Sequence, residues 1–102
     1  ANPQSAILFT LPPDSFKRGK QNADLARLAE EITDYASQKG HAWWDLSEVM
    51  GGKGSVTKWR GQKMAASDLL HYTPKGYMLQ GHLMYQAIIK GYKSYSEVRE
   101  IK

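Results

Sequence analysis

Ser5-Ala6-Ile7-Leu8-Phe9-Thr10-Leu11, halted by Pro12-Pro13-Asp14-Ser15, is a short and nearly continuous apolar run. Such a run suits a strand covered on both faces, as in a parallel sheet, and the proline pair stops it. Polar and basic residues 16–21 read as a loop. Asn22 then caps a helix with Asp24 in its first turn, where a carboxylate opposes the helix dipole favourably. Leu25, Leu28, Ala29, Ile32, Tyr35 and Ala36 recur at helical spacing on one face. Lys39 and Gly40 form an ordinary helix ending. His41-Ala42-Trp43-Trp44-Asp45-Leu46 gives a second short strand, its two tryptophans on opposite faces. Strand, helix and strand within so short a span make a βαβ unit, with parallel strands and a right-handed crossover.

The remainder of the chain is helical with one conspicuous turn. Ser47 starts a single helical turn through Met50, the Gly51-Gly52-Lys53-Gly54 loop follows, and Ser55 caps a helical piece over residues 56–64 that Gly61 interrupts. Ser67-Asp68-Leu69-Leu70-His71-Tyr72-Thr73-Pro74-Lys75-Gly76 then reads as a turn opening the last long helix. Thr73 accepts from a free N–H of that helix, and Pro74 suits its first position. Tyr77, Met84 and Ile88 line its core face, and Gly91 ends it before a mixed polar tail. Asp68 and His71, three residues apart, are spaced to meet across the turn. A carboxylate there accepts the Nδ1 proton and leaves Nε2 free to act as a base. A nucleophile is the missing third.

Composition limits the alternatives. The 102 residues, 41% hydrophobic and 11% aromatic, suit one folded domain at most, and no apolar run is long enough to cross a bilayer. Cysteine is absent, which excludes disulfide and thiolate chemistry. A net charge of +4 and a pI near 9.4 permit anionic partners, but the lysines and arginines are scattered rather than clustered. The glycine loop lacks the phosphate-loop spacing, and His41, His71 and His82 lack paired metal-ligand spacing, so neither a cofactor nor a metal is expected. A competing reading is a small basic module for nucleic acid or anionic glycan, using the scattered cations with Trp43, Trp44, Tyr72 and Tyr92. Two parallel strands do not make a sheet that stands alone, and an apolar strand with an open edge is an aggregation template. The chain therefore reads as an incomplete part of a doubly wound α/β domain, with further strands supplied elsewhere.

The block from Asp68 to Tyr77 resembles the last signature of the SGNH (GDSL-type) hydrolases, in which an Asp-x-x-His pair before the final helix supports a serine nucleophile. Met50-Gly51-Gly52-Lys53-Gly54-Ser55 with Trp59, and Leu11-Pro12-Pro13-Asp14, are similar to segments of envelope-associated bacterial members acting on acetylated polysaccharide or peptidoglycan. The resemblance runs from about Ser5 to Tyr92. It implies that residues 1–102 are the C-terminal part of one SGNH domain, a flavodoxin-like doubly wound parallel sheet, in a periplasmic or secreted bacterial esterase or lipase. Asp68 and His71 would be its catalytic residues, without cofactor or metal. The family's Gly-Asp-Ser block and oxyanion residues have no counterpart here, and Ser5, Ser15, Ser55 and Ser67 do not fit the nucleophile's position. The implied partners are a missing N-terminal segment, on the same polypeptide or a separate chain, and an acylated carbohydrate or small ester; nucleic acid is not among them. This chain alone is then expected to be inactive. A non-catalytic relative kept as a scaffold has the same features.

Overall fold

A computed structural model describes residues 6–101, with side chains described through residue 94. The elements in order are β1 (Leu8–Thr10), β2 (Phe16–Lys17), β3 (Lys20–Gln21), α1 (Asp24–Lys39), β4 (Ala42–Trp44), α2 (Leu46–Met50), α3 (Ser55–Gly61) and α4 (Pro74–Ile101). The architecture is mixed α/β. β1 and β4 pair in parallel, Leu8 beside Ala42, Phe9 beside Trp43 and Thr10 beside Trp44, with α1 as the connection between them. The expected βαβ unit is therefore present, although Ser5, the first residue of the apolar run, lies outside the described residues.

The burial of that unit departs from expectation. Among the described residues β1 has only β4 as a neighbour, and Ile7, Leu8 and Trp43 remain 44%, 41% and 45% exposed. The run is apolar enough for a strand covered on both faces, but this chain covers it incompletely. Phe9 is the better protected, with Tyr35 of α1 edge-on at 6.0 Å and His41 at 5.9 Å. On α1 itself Ala36 is fully buried, whereas Leu28 and Tyr35 stay largely exposed.

Several local expectations are corrected. Residues 16–21 form a tight hairpin rather than a loop, because Arg18 and Gly19 both take positive φ (54° and 77°), the backbone that matches strand twist in a two-residue turn. Asn22 does not cap α1: the N-cap is Ala23, which makes no side-chain cap bond, and Asn22 Oδ1 accepts from Asp24 N–H just ahead of the helix. Asp45, not Ser47, caps α2 by accepting from Glu48 N–H. Ser55 lies inside α3, whose N-cap is Gly54 at φ 86°, and Gly61 closes that helix instead of interrupting it. Gly40 ends α1 in the left-handed conformation as expected (φ 73°). Gly91 does not end α4, which continues to Ile101; a glycine on an exposed helix face costs only about 1 kcal/mol, too little to break a long helix.

The main core is built by α2, α3, the 64–72 segment and α4. Leu46, Met50, Val56, Trp59, Ala65 and Tyr72 are buried together, with Trp44, Leu69, Leu79 and Leu83 packed around them. Leu79 and Leu83, four residues apart, are the inward face of α4. Tyr77 and Ile88 are about half exposed, so the expectation that they are core residues fails in this chain. Trp44 packs on the core while Trp43 stays outside, as their alternation requires.

Candidate active site

The Asp68–His71 turn is built on a short antiparallel pairing of residues 64–66 with 71–73. Ala66 N–H donates to the His71 carbonyl at 2.9 Å, Thr73 N–H donates to the Met64 carbonyl at 3.1 Å, and Ala65 opposes Tyr72. Within it Leu69 N–H closes onto the Ala66 carbonyl at 3.0 Å, and Leu69 takes φ 57°. That left-handed residue reverses the chain sharply enough to bring Asp68 and His71 face to face. The Asp68 carboxylate is then fully engaged. Oδ1 accepts from the backbone N–H groups of Leu70 (2.9 Å) and His71 (3.0 Å), and Oδ2 lies 2.6 Å from His71 Nδ1.

This geometry fixes the chemistry available to the pair. The bond from the His71 ring, followed by those from the His71 and Leu70 amides, holds the Asp68 carboxyl well below the usual carboxylate range. An ionised carboxylate has no proton to give, so the hydrogen between the two side chains sits on Nδ1 and the lone pair is left on Nε2. The imidazole is 69% exposed, with Asp68 its one side-chain hydrogen-bond partner among the described residues. The two expected residues are therefore brought together, with Nδ1 of the ring facing the carboxylate.

α4 begins directly behind this turn. Thr73 Oγ1 accepts from Gly76 N–H at 3.2 Å, the expected cap, and donates to the Lys63 carbonyl at 2.8 Å. Gly76 is a close-approach glycine: any Cβ there would overlap the Met64 carbonyl oxygen and lie 2.9 Å from its carbon. The sequence Thr-Pro-x-Gly thus both starts a helix and presses its first turn against the chain that leads into the Asp68–His71 turn.

The turn borders the loop leaving the carboxyl end of β1, the edge where open α/β sheets place ligands. Phe16 N–H donates to the Leu69 carbonyl at 2.8 Å, and the Tyr72 hydroxyl donates to the Asp14 carbonyl. Asp14 is 1% exposed; its carboxylate accepts from Val56 N–H at the start of α3 (2.9 Å) and from Gln21 Nε2 (2.7 Å). Tyr72 is equally enclosed, its ring edge-on to Trp59 at 5.8 Å, and burial with the nearby Asp14 charge pushes its phenol up. Sequence reasoning missed Asp14, and it counted Tyr72 among the aromatics of a glycan or nucleic-acid face, a role its burial denies it. The one signal for Asp14 was its place directly after Pro-Pro at a strand end. A hollow of about 540 Å³ opens at the same edge, lined by Leu11, Pro12, Asp45, Gly52 and Lys53 among others. The glycine loop does border a cavity, but Asp68 and His71 do not line it.

Among the described residues no serine hydroxyl stands within hydrogen-bond reach of the pair. Ser15 and Ser55 are buried, Ser55 Oγ without a partner among those residues. What the chain presents is an exposed carboxylate–imidazole pair on a small mixed α/β frame.

The particular likeness is to a peptidoglycan O-acetylesterase, whose solved structure matches with a TM-score of 0.84 and 26% sequence identity. The match covers 90% of this chain and 28% of that one, so the chain is similar to a fragment of that enzyme. No protein-family model and no curated protein matches the sequence.

Proposed function

We propose that residues 1–102 are the C-terminal part of a single SGNH-type hydrolase domain and that Asp68 and His71 are two members of its Ser-His-Asp triad. The observation carrying this reading is the 2.6 Å contact between Asp68 Oδ2 and His71 Nδ1, beside the carboxyl edge of a parallel strand pair. The likeness to a peptidoglycan O-acetylesterase supports it. On this reading β1 and β4 belong to a larger doubly wound, flavodoxin-like sheet, and the half-exposed Ile7, Leu8 and Trp43 are covered by segments upstream.

The upstream segment supplies the serine and the oxyanion donors. His71 Nε2 takes the hydroxyl proton as the serine oxygen attacks the ester carbonyl, and Asp68 stabilises the imidazolium that forms. The proton passes to the departing sugar oxygen, leaving an acyl-serine. Water, deprotonated by the same Nε2, then releases the acid. The substrate is an O-acetylated or other short-acyl carbohydrate, peptidoglycan included, in a bacterial periplasmic or secreted setting. This chain without its upstream segment is inactive.

The test is to join or co-express the upstream segment and assay a short-chain aryl ester. The complete protein should hydrolyse it and His71→Ala should not. Asp68→Asn should lose activity on the order of 10⁴-fold in kcat, the loss seen for the equivalent change in a serine protease. Equal hydrolysis by His71→Ala would remove His71 from the mechanism.

A further inference from the structure

We propose that Tyr72 and Asp14 are positioning residues for the His71 base, a role that rests on the esterase reading above. The argument starts from exposure. The His71 ring has one side-chain partner, Asp68, which belongs to the same turn, so nothing in that pair ties it to the rest of the fold. Where Nε2 stands relative to the sheet is decided by the backbone of residues 66–72. That backbone is fixed to the strand end by two bonds, Phe16 N–H to the Leu69 carbonyl and the Tyr72 hydroxyl to the Asp14 carbonyl.

Both bonds end on residues 14–16, a stretch held by the Phe16–Gln21 pairing, by the Asn22 N–H bond to the Ser15 carbonyl and by the Asp14 side chain. Its buried carboxylate reaches across 42 residues of sequence to the Val56 N–H in the first turn of α3 and takes the Gln21 side chain on its other oxygen. No cation neutralises it among these partners, so the carboxylate is held by directed N–H donors. Tyr72 is clamped from the other side by the Trp59 ring and by the Met50 sulfur 3.8 Å from its hydroxyl, while Trp59 Nε1–H donates to the Met50 carbonyl at 3.1 Å. A continuous run of bonds therefore connects α3, the end of β1 and the residue next to His71. Displacing a base by about 1 Å can cost about 100-fold in rate without touching the substrate.

The experiment uses the complete esterase and three variants. Tyr72→Phe keeps the ring and removes the hydroxyl; kcat should fall about 10- to 100-fold with KM unchanged. Asp14→Ala should fall at least as far. Asp14→Asn should recover most of that loss, because its carbonyl still accepts from Val56 N–H while a flipped Gln21 amide accepts from its NH₂. Amide hydrogen exchange gives a readout independent of activity: Tyr72→Phe should speed exchange at Leu70 and His71 by at least about tenfold and leave α1 unchanged. Wild-type rates for Tyr72→Phe in an active enzyme, or equal acceleration in the turn and α1, would overturn the positioning role. An inactive wild-type protein would instead defeat the esterase reading, and the exchange measurement would still decide whether Tyr72 holds the turn.

Discussion

Substituting Gly76 by alanine tests the joint between the candidate site and α4. A Cβ at this position would overlap the Met64 carbonyl oxygen and stand 2.9 Å from its carbon. Ordinary carbon–carbon contact begins at about 3.5 Å, so the helix start must retreat by about 0.6 Å from the carbon alone and further from the oxygen. Both obstructing atoms are backbone, and no rotamer change relieves the clash. The retreat strains the Thr73 N–H bond to Met64 (3.1 Å) and the Thr73 hydroxyl bond to Lys63 (2.8 Å). Losing the two costs about 2 kcal/mol, overpacking adds about 1–3 kcal/mol, and the helix preference of alanine returns about 1 kcal/mol. The net loss is about 2–4 kcal/mol. Gly81→Ala is the control, since nothing lies within 4 Å of a Cβ there and the same preference should stabilise the helix by up to about 1 kcal/mol. Urea unfolding of both variants reads the difference directly. If Gly76→Ala were as stable as Gly81→Ala, the close approach would not exist.

Trp59→Phe should lower stability by about 1–2 kcal/mol in the same assay, because the Met50 carbonyl loses its indole donor and the smaller ring leaves the core underfilled. The pH behaviour of Asp68 follows from its hydrogen bonds. Its folded pKa lies below the usual value near 3.9, so its contribution to stability is complete above that value and is lost as pH falls through the lower, folded one. The ¹³C shift of its carboxyl carbon should therefore stay flat from pH 7 to about pH 4, and a titration midpoint near 4 would mean that the three hydrogen bonds are not formed.

What was legible in the sequence was local. The Gly40 ending, the Thr73-Pro74 start and the Asp68–His71 pairing all involve residues within a few positions of one another, where spacing and backbone preference decide the outcome, and the βαβ order follows from a run of such local elements. Arg18-Gly19 was hidden because arginine is an uncommon choice at a positive φ, so no turn signal marked the hairpin. Gly91 misled because a glycine near the end of a periodic pattern resembles a cap, and only the true left-handed φ seen at Gly40 distinguishes one. Asp14 and Gly76 were illegible for a different reason. Their partners, Val56 and Met64, lie 42 and 12 residues away, and no local pattern announces a long-range hydrogen bond or a close backbone approach. Ile7 and Leu8 show the reverse case: they are apolar enough for a covered strand, yet the described residues leave them 44% and 41% exposed.

In the proposed mechanism the Asp68–His71 pair separates two requirements of a base that are often carried by the same residues. Tautomer and ring orientation are settled inside the turn, because Asp68 accepts from amides two and three residues ahead and from the ring they carry. These bonds need nothing from the core, which is why the pair forms although it is exposed. Position relative to the sheet is settled elsewhere, through Tyr72, Asp14 and the packing of α4 at Gly76. The two kinds of damage should therefore look different. Changing Asp68 leaves the ring in place with its proton free to occupy the wrong nitrogen, whereas changing Tyr72 leaves the proton where it was and moves the ring. A pH-independent loss of kcat with the Nδ1–H resonance intact belongs to the second case alone, and it is the signature that distinguishes support of the base from its activation.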